Sequence, residues 1–370
     1  MTIFIIASIL VLIAIGIFSF FQFAPQIGGK PVGERAVRMK NSPHYRNGIF
    51  YNQVATNMDM PAGIMAKTVW KMLTEGKSNE PASPIHNLKF NAETFLQFDD
   101  AEVVVTWFGH SAVLIKIEGK VFLVDPVFGE RASMFSFLGP KPFNYLHPLL
   151  LEDLPPIDAI ILSHDHYDHL GYRTISALKG KVDKFYMPLG VGAHLEKWGI
   201  DSARIFELDW HDSIRYNDKI TLTSTPCRHF SGRGFKRFQT LWCSWIVRGQ
   251  KQTLFFGADS GYYNGFKAIG DQYGPFDLVL LESGAYNENW ADIHMMPEDT
   301  VQASLDLKGK VLLPIHWGKF NLALHHWKEP IIRLTNAAAA KGVEVITPSV
   351  GESVILNRHM PKERWWEAEG

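Results

Sequence analysis

A short apolar run, residues 157–162, leads directly into His164-Asp165-His166-Tyr167-Asp168-His169, and this junction constrains the chain more than any other stretch. The run is rich in β-branched residues. Pro156 bounds it on one side and polar residues on the other, the pattern of a short buried strand. Three histidines and two aspartates within six residues at the end of such a strand are costly unless something gathers them. Neutral imidazole nitrogen and carboxylate oxygen are the donors that zinc takes in catalytic sites. In extended backbone, residues two apart point the same way, so His164 and His166 converge on one ion. Asp168 and His169, where the loop turns toward a helix, then face a second ion beside it. The bland alternative is a solvated loop rich in histidine by chance, and it fits this spacing after a buried strand poorly.

Other strand ends repeat the theme. Residues 103–107, 113–117 and 121–124 read as a β-meander with short turns, which an antiparallel sheet requires. It leaves His110 and Asp125 at strand ends near the expected site, read as supporting residues rather than ligands. Later, strand-like residues 219–223 run on to His229, 253–256 to Asp259, 278–281 to Glu282-Ser283-Gly284, and 311–315 to His316. His229, Asp259 and His316 can each bind metal where a strand gives out, and rigid strands with functional loops at one edge hold a site in place. Helical stretches are expected at residues 172–178, 192–198, from Pro297, where Glu298 and Asp299 suit the first turn, and at 330–340 before Gly342. A last strand is expected at 343–346 or 353–356. This alternation suits an α/β chain with helices packed outside a sheet sandwich.

The N-terminus has a different character. Residues 3–21 are almost wholly apolar and no charge precedes Lys30, which meets the ~20 residues a bilayer-spanning helix needs. Without a basic leading segment or a small-x-small cleavage site, the stretch reads as a single-pass membrane anchor over residues 1–25 rather than a cleaved signal. Lys30, Arg35, Arg38 and Lys40 against Glu34 place the following domain on the cytoplasmic face. Residues 26–100 read as an extension packing on the core, with a helix near 63–73, and residues 101–358 as the main domain, which carries the histidine-rich loop. A net charge of −1 argues against nucleic acid as a partner. Two cysteines make no disulfide framework. No Gly-x-Ser-x-Gly elbow supplies a serine nucleophile.

The His-x-His-x-Asp-His stretch and the strand ends after it resemble those of the metallo-β-lactamase superfamily. That resemblance implies an αββα sandwich holding two zinc ions. Carried over position by position, it puts His164, His166 and His229 on one ion, Asp168, His169 and His316 on the other, and Asp259 between them. A water activated between the metals would be the nucleophile, so Asp168 and Asp259 count as catalytic as well as ligating. Thr106-Trp107-Phe108-Gly109-His110-Ser111, Asp125-Pro126-Val127-Phe128, Gly257-Ala258-Asp259-Ser260-Gly261-Tyr262, His294-Met295-Met296-Pro297-Glu298 and Ile315-His316-Trp317-Gly318 are similar to the N-acyl-phosphatidylethanolamine-hydrolysing phospholipase D family. The likeness covers about residues 100–330. It implies cleavage of N-acyl phosphatidylethanolamine to N-acylethanolamine and phosphatidic acid. His294 is then a catalytic candidate close to the substrate, with His110 and Trp317 beside it. The expected partners are a phospholipid and a membrane, and a homodimer is left open. Phe128, Met134, Phe135, Phe137, Leu138, Phe143 and Tyr145 crowd one segment that can meet acyl chains or pack the sandwich edge. The alternatives are a lactone- or other phosphodiester-cleaving metallohydrolase on the same fold, and a membrane-anchored metal-binding module without catalysis.

Overall fold

The computed structural model describes residues 2–129 and 131–369; Met1, Glu130 and Gly370 lie outside the described residues. An apolar helix α1 (Thr2–Phe23) is followed by α2 (Gly33–Asn41), a small hairpin of β1 (Tyr45–Arg46) and β2 (Ile49–Phe50), α3 (Ala62–Glu75) and α4 (Ala92–Gln97). Then come β3 (Val104–Trp107), β4 (Val113–Ile117), β5 (Lys120–Val124), β6 (Ala159–Ile161), α5 (Tyr172–Leu178), β7 (Lys184–Pro188), α6 (Gly192–Lys197) and β8 (Ile205–Leu208). The second half holds β9 (Ser213–Arg215), β10 (Thr221–Thr225), β11 (Ser244–Arg248), β12 (Thr253–Phe256), α7 (Gly265–Tyr273) and β13 (Leu278–Glu282). It ends with α8 (Pro297–Asp306), β14 (Leu312–Ile315), α9 (Glu329–Lys341) and β15 (Ser353–Ile355).

Two sheets form, in the orders β15-β3-β4-β5-β6-β7-β8 and β14-β13-β12-β11-β10-β9. Strand alternation sorts their side chains into three apolar layers. Phe122 and Val124 of β5 join Trp245, Val247, Phe256 and Leu280 between the sheets. Leu123 of the same strand faces outward against Ile175, Leu178 and Leu195 of α5 and α6. Across the molecule, Phe255 and Val279 meet Phe266, Val301 and Leu334 of α7, α8 and α9. The order of layers is therefore helix, sheet, sheet, helix, the mixed α/β sandwich expected.

The local signals act as anticipated. Pro297 opens α8 with Glu298 and Asp299 in its first turn, and Gly342 closes α9 in the left-handed region at φ 66°. Of the two places offered for the last strand, residues 353–355 pair with β3, while Val345 makes only an isolated bridge to Leu312. No local sequence signal marked β8, β9, β11, α2, α4 or α7 in advance. The first four residues of β11 are buried, so no polar alternation marks the strand in sequence.

Within the chain's first hundred residues, Phe50 and Ile85 enter the layer between the sheets and Phe95 the α5–α6 layer. Residues 4–23 of α1 are unburied, with a mean hydropathy of 2.9, and are long and apolar enough to cross a membrane. Of the apolar segment flagged in sequence, Phe143 is buried while Phe137 and Leu138 are exposed.

Candidate metal centre

The strand ends meet at one edge of the sandwich. β6 ends at Ile161 and delivers His164, His166, Asp168 and His169; the loops after β10, β12 and β14 bring His229, Asp259 and His316. Several of these turns use backbone that L-residues seldom adopt: φ is 54° at His110, 41° at Asp125, 53° at Ala258 and 65° at His316. Such strain persists only where surrounding packing over-determines it, and here it aims side chains off the ends of rigid strands.

The donors form two adjoining groups. In one, His164 Nε2 lies 2.9 Å from His166 Nδ1, and His229 Nε2 lies 3.2 Å from the same nitrogen. In the other, His169 Nε2 lies 3.6 Å from Asp168 Oδ2. Asp259 stands between the groups. Its Oδ2 is 3.1 Å from His169 Nε2, 3.8 Å from His164 Nε2 and 3.7 Å from His229 Nε2, and its Oδ1 is 2.9 Å from His316 Nδ1. One atom from each of His164, His166, His229 and Asp259 falls within 4.8 Å of the others, and the same holds for His110, Asp168, His169 and His316. All seven residues expected as ligands are thus brought together.

Three buried atoms here, His169 Nε2, Asp259 Oδ1 and His316 Nε2, make no well-directed hydrogen bond, although Asp259 stands at ion-pair distance from His169 and His316. Buried polar atoms are rarely left this way. A divalent cation would satisfy all three, so the donor set fits the metals the sequence implied. At the first group the electrostatics agree, whereas at His169 burial opposes a charge but the Asp259 and Asp168 carboxylates outweigh it and hold the imidazole up. Burial pushes His164, His166 and His229 down, which keeps their imidazoles neutral and their lone pairs available. For Asp259 and Asp168, burial opposes ionisation, but the neighbouring imidazoles, His169 foremost, outweigh it and hold both well below the usual carboxylate range.

A second ring of groups orients the first. Asp125 Oδ2 lies 2.8 Å from His169 Nδ1 and accepts from Ser163 Oγ at 2.5 Å, while Ser163 Oγ lies 2.9 Å from His164 Nδ1. His229 Nδ1 sits 2.9 Å from the Ile293 carbonyl, and His316 Nδ1 is 3.0 Å from Ser111 Oγ. His110 is buried with Nε2 3.0 Å from Asp168 Oδ2, which makes it a support for that carboxylate. Trp317 is also buried. It stacks on Trp107 at 5.2 Å and Trp365 at 5.3 Å, and its Nε1 donates to the Pro314 carbonyl. Its ring belongs to the interior wall behind His316 rather than to an open surface.

His294 lies beside the donors, its ring 5.1 Å from His229 and 5.3 Å from His316. The partner that sequence reasoning missed is Glu282. Its Oε2 is 2.7 Å from His294 Nδ1, and its Oε1 accepts from Ser260 N and Met295 N at 3.0 Å each. Burial opposes a charge on His294, but the Glu282 carboxylate outweighs it and carries the imidazole up to about 9. The signal was there to read: an acidic residue closes the otherwise apolar Leu278-Val279-Leu280-Leu281.

A family profile described as the beta-lactamase superfamily domain matches residues 120–317, more than half the chain. The chain belongs to the metallo-β-lactamase superfamily. Within the superfamily it is 42% identical over 347 residues to a Mycobacterium tuberculosis protein described only as uncharacterized, covering 92% of this chain and 91% of that one. It is 33% identical over 287 residues to N-acyl-phosphatidylethanolamine-hydrolyzing phospholipase D 1 of Caenorhabditis elegans, covering 73% and 79% of the two chains. Among solved structures, the metallo hydrolase Igni18 of Ignicoccus hospitalis superposes with a TM-score of 0.53 at 21% identity, over 69% of this chain and 98% of that one. That last likeness speaks for the fold alone. The chain is a superfamily hydrolase whose histidine and aspartate clusters can hold metal ions.

Proposed function

We propose that this protein is a membrane-associated, binuclear zinc phosphodiesterase that cleaves N-acyl phosphatidylethanolamine to N-acylethanolamine and phosphatidic acid. The single observation that carries the chemistry is the pair of four-residue donor groups with Asp259 between them and three buried donor atoms without a well-directed hydrogen bond. His164, His166 and His229 would hold one ion and Asp168, His169 and His316 the other, with Asp259 touching both. Zinc is the metal that neutral imidazole with carboxylate suits best. Bound there, such ions supply a water acidified to near neutrality and positive charge for the phosphoryl oxygens.

The chain's own residues do the rest. Asp125, His110 and Ser111 fix the rings and the carboxylate of the second group, so no reorganisation is needed when charge develops. His294, kept protonated by Glu282, places an N–H donor beside both groups, where it can hydrogen-bond a phosphoryl oxygen or give its proton to a departing alkoxide. The substrate class is supported by the 33% identity to the nematode phospholipase and by the apolar helix at the N-terminus.

The test uses full-length, zinc-loaded protein in detergent with N-acyl phosphatidylethanolamine. Mass spectrometry should find N-acylethanolamine and phosphatidic acid, and Asp259→Asn should lower the rate by roughly a hundredfold or more. Zinc-replete protein that releases neither product would move the search to other phosphodiesters and to lactones.

A further inference from the structure

The last turn of α1 does not end free in solvent. The Phe20 ring stacks on Phe135 at 5.0 Å, and Phe21 lies 4.5 Å from Phe235. These partners belong to two loops flanking the metal-binding segment, residues 131–139 and 230–238. Immediately after the helix the chain is locked down. Trp198 Nε1 donates to the Pro25 carbonyl at 2.7 Å, and Arg233 donates to the Gln26 carbonyl through Nε and Nη2 at 3.0 and 2.7 Å. The other arm of the same guanidinium, Nη1, donates to the carbonyls of Asp165 and Leu170 at 2.6 and 2.8 Å, inside the His-x-His-x-Asp-His loop. A Cβ on Gly28 would lie 2.0 Å from the His194 ring, so the chain is pressed onto α6 there. One buried arginine therefore joins the foot of the apolar helix to the metal loop, with no slack between them.

Those two loops carry the two most exposed large apolar side chains outside α1 among the described residues, Phe235 and Phe137. Phe235 is 83% exposed, Phe137 75% and Leu138 60%. Basic residues accompany them: Arg131 on the first loop, Lys236 and Arg237 on the second. Between the helix foot and the metal loop lies a cavity of about 220 Å³, lined in part by Gln26, Arg131, Phe135, Tyr167, Tyr172 and Arg233. At 1.5 Å rise per residue, residues 4–23 span the ~30 Å of a bilayer's hydrocarbon, so Phe20–Phe23 fall at its boundary. Aromatic rings collect at that level.

We infer that the loops 131–138 and 233–237 lie against the bilayer that α1 crosses. Phe137, Leu138 and Phe235 enter the acyl boundary, Arg131, Lys236 and Arg237 meet anionic headgroups, and the cavity opens at headgroup level. Because Arg233 ties the helix foot to the metal loop, the same contacts set the tilt of the site toward the membrane. This inference rests on α1 crossing a bilayer and not on which lipid is cleaved.

The experiment is spin-label depth measurement on the full chain in nanodiscs of phosphatidylcholine with phosphatidylglycerol. Leu10→Cys, Phe137→Cys, Phe235→Cys and Asp218→Cys are made singly and labelled with a nitroxide; Cys227 and Cys243 are buried and leave little background. Accessibility to oxygen and to a water-soluble nickel chelate is then compared. The labels at 137 and 235 should favour oxygen by several-fold over the label at 218 and report a depth at or just inside the phosphates. Labels at 137 and 235 as water-accessible as that at 218, with the label at 10 in lipid, would overturn the inference. A label at 10 in water would overturn it together with the anchor. Strong spin–spin broadening at 137 or 235 would assign the face to a second copy of the chain instead of lipid.

Discussion

Glu282 shows what one buried carboxylate does at the edge of a metal centre. Its two oxygens hold Ser260 N, Met295 N and His294 Nδ1, so it positions the backbone beside Asp259 as well as the imidazole. Glu282→Gln keeps the shape and removes the charge. The expected result is a kcat lowered by about 10–100-fold, with metal content nearly unchanged. A kcat within twofold of wild type would show that His294 needs no carboxylate. Gly284 is a second sensitive point, because a Cβ there would lie 2.1 Å from the His316 carbonyl. Gly284→Ala should displace the His316 loop and, under the proposed two-metal reading, lower bound metal from two ions per chain toward one, read by elemental analysis. At this scale the candidate donor residues and their order were legible, because metal chemistry restricts donors to a few residue types. Glu282 was marked by closing an apolar run, though its pairing with His294 was not; Arg233 was not legible, because it acts on partners far away in sequence.

At the scale of elements, α2 is held to the sandwich by ionic contacts as well as by the buried Met39. Arg35 Nε lies 2.7 Å from Glu207 Oε2, and Arg35 Nη1 lies 2.6 Å from Glu196 Oε2. The hydrogen bond from Arg35 holds the Glu196 carboxyl below the ordinary glutamate value. A carboxylate depressed by folding stabilises the protein above its unfolded pKa, ~4.3, and loses that contribution as pH falls through the folded value. Glu196 is partly exposed, so solvent screening limits the contribution to roughly 0.3–1 kcal/mol. Thermal melts of wild type and Glu196→Gln should therefore differ by a small constant margin above about pH 5, and the margin should close on acidification below about pH 4. A margin independent of pH would exclude the ion pair as its source. Strands and helices with clear turn chemistry were legible, as at α8 and α9. β11 and α2 were not: one has both faces buried, and the other depends on charges supplied by α6 and β8.

For the whole molecule, two sheets carry donors on loops at one edge and must bring them together without their own electrostatics to help. Uncompensated imidazoles and carboxylates in a buried cluster oppose folding, and bound cations reverse the sign. Chelation should lower the Tm by roughly 5–10 °C, if each ion is present at about a hundred times its Kd. Returning zinc should restore it, with calorimetry as the measurement. An unchanged Tm after verified metal removal would mean that the cluster is stable empty and that metal plays no part in folding.

The sequence by itself determined which histidines and aspartates could serve as metal donors, the layered α/β class and the apolar helix at the N-terminus, because each rests on local composition and period. Which donors share a group, which residues orient them, and how the helix foot meets the metal loop were decided only in three dimensions. His164 and His316 are separated by most of the domain in sequence, and Gln26 and Arg233 by more still. Their proximity comes from the pairing of strands and the packing of two sheets, which no local pattern encodes.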